Sequence, residues 1–88
     1  MEQLYQVIMK PDGKYGVYPI DVDPAAVVYV KPDFSMKTQL TEGKFDSELS
    51  LNAEFSIIGI NGQQIHVVGE HRHISEKLSS SKKRVLNG

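Results

Sequence analysis

A chain of 88 residues without cysteine makes one small domain whose folding buries only roughly 60 to 65% of its unfolded surface, and no disulfide or thiolate metal site can staple it. A formal net charge of −1 marks it neither as a general polyanion binder nor as an acidic mimic of nucleic acid. The first residues lack the cationic and apolar regions of a leader and no window approaches a membrane span, so the chain reads as cytoplasmic.

From Leu4 to Met9 the residues are mostly β-branched, aromatic or long and apolar, and Tyr15 to Ile20 repeats that character after Lys10-Pro11-Asp12-Gly13-Lys14. Pro presets φ, Asp favours a turn and Gly supplies a positive-φ position, which predicts a hairpin with a three-residue loop and a G1 bulge. With Lys10 facing Lys14, the register places Met9 opposite Tyr15, Val7 opposite Val17 and Tyr5 opposite Pro19. The other side gathers Leu4, Ile8, Tyr18 and Ile20. Both faces are largely apolar, as in strands covered on two sides.

Pro24 breaks the chain after Asp21-Val22-Asp23. The next segment, Ala25 to Val30, has two readings: Asp23 and Pro24 suit the start of a helix, whereas Val27, Val28, Tyr29 and Val30 favour a strand. The strand, ended by Pro32, is the expectation because six residues are few for a helix. From Asp33 to Gly43 alternation is weak, at Phe34, Met36 and Leu40, which predicts irregular chain or a poor edge strand. From Ser47 to Ile57 it is the cleanest in the molecule, with Leu49, Leu51, Ala53, Phe55 and Ile57 on one side, and predicts a half-buried strand.

Asn61-Gly62 is the strongest local signal, because a two-residue type I′ turn needs positive φ at both central positions. The hairpin it closes has Gln63 to Ile74 as its return strand. Ile60 then opposes Gln63, and the alignment continues through Ile57 with His66, Phe55 with Val68, Ala53 with Glu70 and Leu51 with Arg72. The opposite face pairs Ile58 with Ile65, Ser56 with Val67, Asn52 with His71 and Ser50 with His73. Ser75 to Gly88 is either a frayed tail or a short helix with Leu78 and Val85 on one side. The expected architecture is thus mainly β: a small antiparallel sheet or partly open barrel built from two hairpins that bracket one or two central strands. Residues 1–74 form the domain and residues 75–88 the basic tail or short helix.

For chemistry, three imidazoles lie within eight residues, but this register separates His66 from His71 and His73, leaving at most a His71/His73 pair as metal ligands. Glu70 and Arg72 fall among apolar residues on their face, where they are either the wet outer end of a strand or an interface anchor. Tyr18 and Tyr29, like Tyr5 and Tyr15, serve as core-rim residues or as a protein interface. Residues 1–74 carry six Lys/Arg against ten Asp/Glu, and residues 75–88 four against one, so Lys77, Lys82, Lys83 and Arg84 are candidate phosphate contacts. No nucleophile elbow and no phosphate-cradling glycine loop is present, and Asp21 and Asp23 lack the oxygen-rich surroundings of a calcium loop.

The expected function is therefore a non-catalytic module, without cofactor, that works by protein–protein contact as a homo-oligomer, adaptor or inhibitor. The interface residues are Arg72, Glu70, Tyr18 and Tyr29. Nucleic-acid binding through the basic C-terminus and Arg72 is the alternative, and metal binding through His71 and His73 a second.

Overall fold

The computed structural model describes residues 1–46 and 49–87, with side chains through residue 80. Five strands form an open antiparallel sheet: β1 (Glu2–Met9), β2 (Tyr15–Val22), β3 (Val27–Pro32), β4 (Phe55–Ile60) and β5 (Gln63–Val68). A 3-10 turn (Pro24–Ala26) precedes β3, helix α1 (Phe34–Thr41) follows it, and helix α2 (His71–Asn87) ends the chain. The order across the sheet is β2-β1-β5-β4-β3. The two hairpins are therefore neighbours, joined through Gln6 and Val67, and β3 lies outside them rather than between them.

Both hairpins have the registers their turns dictate. Lys10 N–H donates to Lys14 O at 2.8 Å and Gly13, at φ 85°, closes the bulge by donating to Lys10 O; Met9, Val7 and Tyr5 face Tyr15, Val17 and Pro19. Asn61 and Gly62 take φ of 52° and 75°, the type I′ geometry, and Ile57 faces His66 while Phe55 faces Val68.

The pleat sorts these strands into two apolar faces. One carries Leu4, Val22, Ile58 and Val67 and is covered by Ile74 and Leu78 of α2. The other carries Val7 and Phe55 and is covered by Met36 and Leu40 of α1, with Tyr15, Phe45, Leu49, Ala53 and Val68 around them. Each fully buried Ile or Leu contributes on the order of 1.5–3 kcal/mol, so both covers matter to so small a molecule.

Four expectations are corrected. The segment after Asp33 is helical because Pro32 ends the strand and the Asp33 carboxylate caps the first turn, accepting from Met36 N–H at 3.1 Å. Met36 and Leu40 are thus one helical turn apart on the buried side, not alternating strand residues. The start of the expected 47–57 strand, Ser47 and Glu48, lies outside the described residues, and from Leu49 to Glu54 the chain is a loop. Ser50 competes for it: its side chain accepts from Asn52 N–H and its carbonyl from Ala53 N–H, a turn that excludes a ladder.

The return strand stops at Val68 because Gly69 sits at φ 136°, a conformation closed to other residues. Helix α2 starts two residues later, Ile74 N–H donating to Glu70 O at 3.1 Å, so the expected boundary between residues 74 and 75 falls inside it. The pairings of Ala53, Leu51, Asn52 and Ser50 with Glu70, Arg72, His71 and His73 are consequently not formed. Finally, both readings near Pro24 are realised in succession: Asp23 Oδ1 accepts from Ala25 N–H to cap the 3-10 turn, and Val27 begins the strand.

The strand-to-helix junction is testable at Gly69. A Cβ there would lie 2.7 Å from Ile74 Cδ1 in a backbone region that resists side chains, so Gly69→Ala should lower unfolding stability by about 1–3 kcal/mol in urea titration. Wild-type stability in this variant would contradict the described junction.

Candidate functional site

Strand addition is disfavoured on both sides of the sheet. Alternation from the bonded Lys10/Lys14 pair points Tyr15, Val17, Pro19 and Asp21 outward from β2. Tyr15 is already occupied, its N–H donating to Lys44 O and its carbonyl accepting from Asp46 N–H. Pro19 has no N–H to offer. Strand β3 carries a register shift at Val28 and ends in Pro32. Prolines and bulges at such edges deny a template to an incoming strand, which leaves side-chain surfaces as the routes to a partner.

The most developed of these lies at the turn end of the first hairpin, on the sheet face that α2 covers elsewhere. Ile8 faces Gly16 across the strands. The Tyr18 ring bends back over that glycine, its hydroxyl oxygen 2.8 Å from where a Gly16 Cβ would stand. Tyr18 is 44% exposed and Ile8 43%, and together they form an apolar surface with no cover. Neighbouring charge is internally matched: Lys10 Nζ bonds Asp46 Oδ2 and lies 3.8 Å from Asp12 Oδ2. Exposed aromatic and aliphatic groups with a neutralised rim are the composition of a protein-contact surface.

Tyr29 stands on the opposite face and is also placed by a glycine. It faces Gly59, and its ring lies where a Gly59 Cβ would be, 2.2 Å from Tyr29 Cε2. Gln64 donates its amide to the Tyr29 hydroxyl at 2.7 Å, and Lys31 Nζ stands 5.5 Å from the ring centroid. A shallow depression of about 340 Å³ beside this ring is bounded by Val28, Ile60, Gln63 and Gln64; no charged side chain lines it.

Asp33 and His66 form a part-buried polar contact between the start of α1 and the sheet that the sequence patterns did not single out. The Asp33 side chain is 1% exposed. One oxygen caps α1 and the other lies 2.5 Å from His66 Nδ1. Asp33 N–H also donates to Phe55 O at 2.9 Å. An ionised carboxylate only accepts, so the ring donates through Nδ1 in this contact. The residue just after Pro32 at a helix start was the available signal; its distant partner His66 had none.

The remaining expected site residues gather at α2. Glu70 precedes the helix and its Oε1 lies 3.2 Å from His71 Nδ1, while Arg72 and His73 are exposed in the first turn. Neither Glu70 nor Arg72 shares a strand face with Leu49, Leu51 or Phe55, because that strand pairing is absent. His71 and His73 are two residues apart on a helix and diverge by about 200° around its axis, and no group of three metal-capable side chains occurs among the described residues. Lys77 donates to Gln3 O at 2.7 Å, tying α2 to β1. The side chains of Lys82, Lys83 and Arg84 lie outside the described residues, but the helix they belong to is continuous with Arg72.

No helix among the described residues is long and apolar enough to cross a membrane. The chain matches no protein-family model, no curated protein and no solved structure.

Asp33 holds two elements at once, so Asp33→Ala should cost about 2–3 kcal/mol, more than an isolated cap of about 1 kcal/mol. His66→Ala should cost less, and the double variant less than the sum of the two. Strict additivity in chemical denaturation would show that the two side chains do not interact.

Proposed function

We propose that the protein is a non-catalytic binding module that acts through protein–protein contact, as a homo-oligomer, an adaptor or an inhibitor of a larger protein. The observation that carries this reading is the uncovered Ile8–Tyr18 surface at the end of the first hairpin. An 88-residue chain has little core to spare, and apolar area left on its surface is stabilised when a partner covers it. Sheet edges interrupted by Pro19, Pro32 and the occupied Tyr15 support contact through this face rather than through backbone pairing. Tyr29, packed over Gly59 and held by Gln64 at its hydroxyl, is a second contact residue on the other face. A cytoplasmic setting and a homodimer suit a cysteine-free chain of this size.

The nucleic-acid reading keeps one supporting observation, since Arg72 and Lys77 share a single helix with Lys82, Lys83 and Arg84. Its weakness is the surplus of acid on the sheet body, which opposes a long polyanion.

Ile8→Lys places a charge in the contact surface without touching the buried clusters. Light scattering and sedimentation should show concentration-dependent association of the wild type that this variant loses at unchanged melting temperature. If the wild type is monomeric at millimolar concentration, affinity capture from the native host with and without nuclease takes over as the test. A nuclease-resistant protein partner lost with Ile8→Lys is the expected result; a partner retained by the variant removes this face from the proposal.

A further inference from the structure

Asn61 and Gly62 carry a reactivity beyond the turn they form. Both are exposed, and they close the β4–β5 hairpin at φ of 52° and 75°. Neither the Asn61 side-chain amide nor the Gly62 N–H has a hydrogen-bond partner among the described residues. A Cβ placed on Gly62 would meet nothing within 4 Å, and glycine has no side chain to hinder its own nitrogen. Asn52 is the contrast. It is exposed too, but the next residue is Ala53, whose methyl crowds the nitrogen and whose N–H is already spent on Ser50 O at 2.9 Å.

We infer that Asn61 is a site of spontaneous deamidation, with water as the co-reactant, and that the Tyr29–Gln64 contact sets its rate. Asparagine is a thermolabile residue. Hydroxide removes the proton from the Gly62 nitrogen, which attacks Asn61 Cγ; the new N–C bond closes a cyclic imide and the side-chain nitrogen leaves as ammonia. Water then opens the imide at either carbonyl, so one water is consumed, one ammonia is released and nothing is oxidised or reduced. One product is aspartate on an unchanged main chain. The other is isoaspartate, whose main chain runs through Cγ and is longer by one methylene. The imide ring holds Asn61 at a ψ far from that of a type I′ turn, so the hairpin tip opens before the attack. Opening is resisted by the pairs Ile60/Gln63 and Gly59/Gln64. It is resisted also by Tyr29, which lies over Gly59 and accepts from the Gln64 amide at 2.7 Å, tying the tip to β3. Either product adds a carboxylate next to Gly62 and Gln63, which line the uncharged depression beside Tyr29. Isoaspartate also does not fit a two-residue type I′ loop. This chemistry is independent of the protein-contact reading.

The test is incubation of the full chain in mildly alkaline buffer, followed by digestion with a Glu-specific protease and mass spectrometry. Cleavage after Glu54 and Glu70 isolates Asn61 in one fragment, apart from Asn52 and Asn87. That fragment should gain the mass of an amide-to-acid exchange, in aspartate and isoaspartate forms, while Asn52 stays intact. A synthetic peptide of residues 55–68, which lacks β3, should react faster than the folded chain. Tyr29→Phe keeps the ring over Gly59 and removes the hydroxyl, and should raise the rate in the folded chain about fivefold, the worth of one hydrogen bond. An unmodified Asn61 in the folded chain after the peptide has reacted overturns the inference, as does reaction of Asn52 at an equal rate. Equal rates in the folded chain and the peptide, or in the wild type and Tyr29→Phe, overturn the control of the reaction by the hairpin and its clamp. Ile8→Lys should react like the wild type, so failure of this site and failure of the hairpin face are read separately.

Discussion

The structure depends on covering both apolar faces of one sheet with very little chain. Strands β1, β4 and β5 place bulky residues on each side, and such strands are stable only when neither side meets water. Two helices of 8 and 17 residues do the covering, each through two buried residues: Met36 and Leu40 on one face, Ile74 and Leu78 on the other. Neither cluster takes in the whole of its face. The turn end of the first hairpin is left bare on the α2 side, and the exposed Ile8 and Tyr18 follow from that shortfall.

Polar contacts locate the two covers. Asp33 joins the start of α1 to His66 on β5 and to the backbone of β4, and Lys37 on the next turn donates to the carbonyls of Leu51 and Ala53 at 2.8 Å. The loop before β4 is thereby held against α1 and contributes Leu49 and Ala53 to the core. On the other face Lys77 grips Gln3 O, and the buried Ser56 hydroxyl donates to Gly69 O at 2.7 Å. The residue whose conformation ends β5 is thus also anchored to β4. These bonds contribute modestly in net stability, about 1 kcal/mol each, but they set where each helix lies and so which parts of the sheet stay exposed.

The hairpins were legible because their turns carry their own chemistry: Pro11-Asp12-Gly13 and Asn61-Gly62 prescribe backbone angles at single positions, and register follows over every strand residue nearby. The covers were not legible for the opposite reason. Leu49, Leu51 and Ala53 alternate as well as any strand, yet a single serine diverts the chain into a turn and leaves Leu51 65% exposed. Met36 and Leu40 fit period 2 and period 3.6 alike, and only the cap at Asp33 chooses between them. At Gly69 one backbone angle separates a strand reading from a helix reading for everything after it. Arg72, His71 and His73 accordingly stand at the start of a helix, with Glu70 just before it, rather than in a strand pair. Of the expected interface residues, Tyr18 and Tyr29 kept their places because they lie inside the hairpins and their partners.

The same division explains where binding surfaces can arise. A tyrosine beside a glycine in a sheet does two jobs: it shields backbone that the glycine leaves open and presents its other side outward, as Tyr18 does over Gly16 and Tyr29 over Gly59. Such rings are held flat before any partner arrives, so little side-chain entropy remains to be lost on contact. Among the described residues of helix α2, Ile74 and Leu78 form the buried side, and Arg72, His73, Glu76, Ser79 and Ser80 are exposed. The exposed Ile8 and Tyr18 are thus an apolar surface whose aromatic part is already positioned by the glycine beside it.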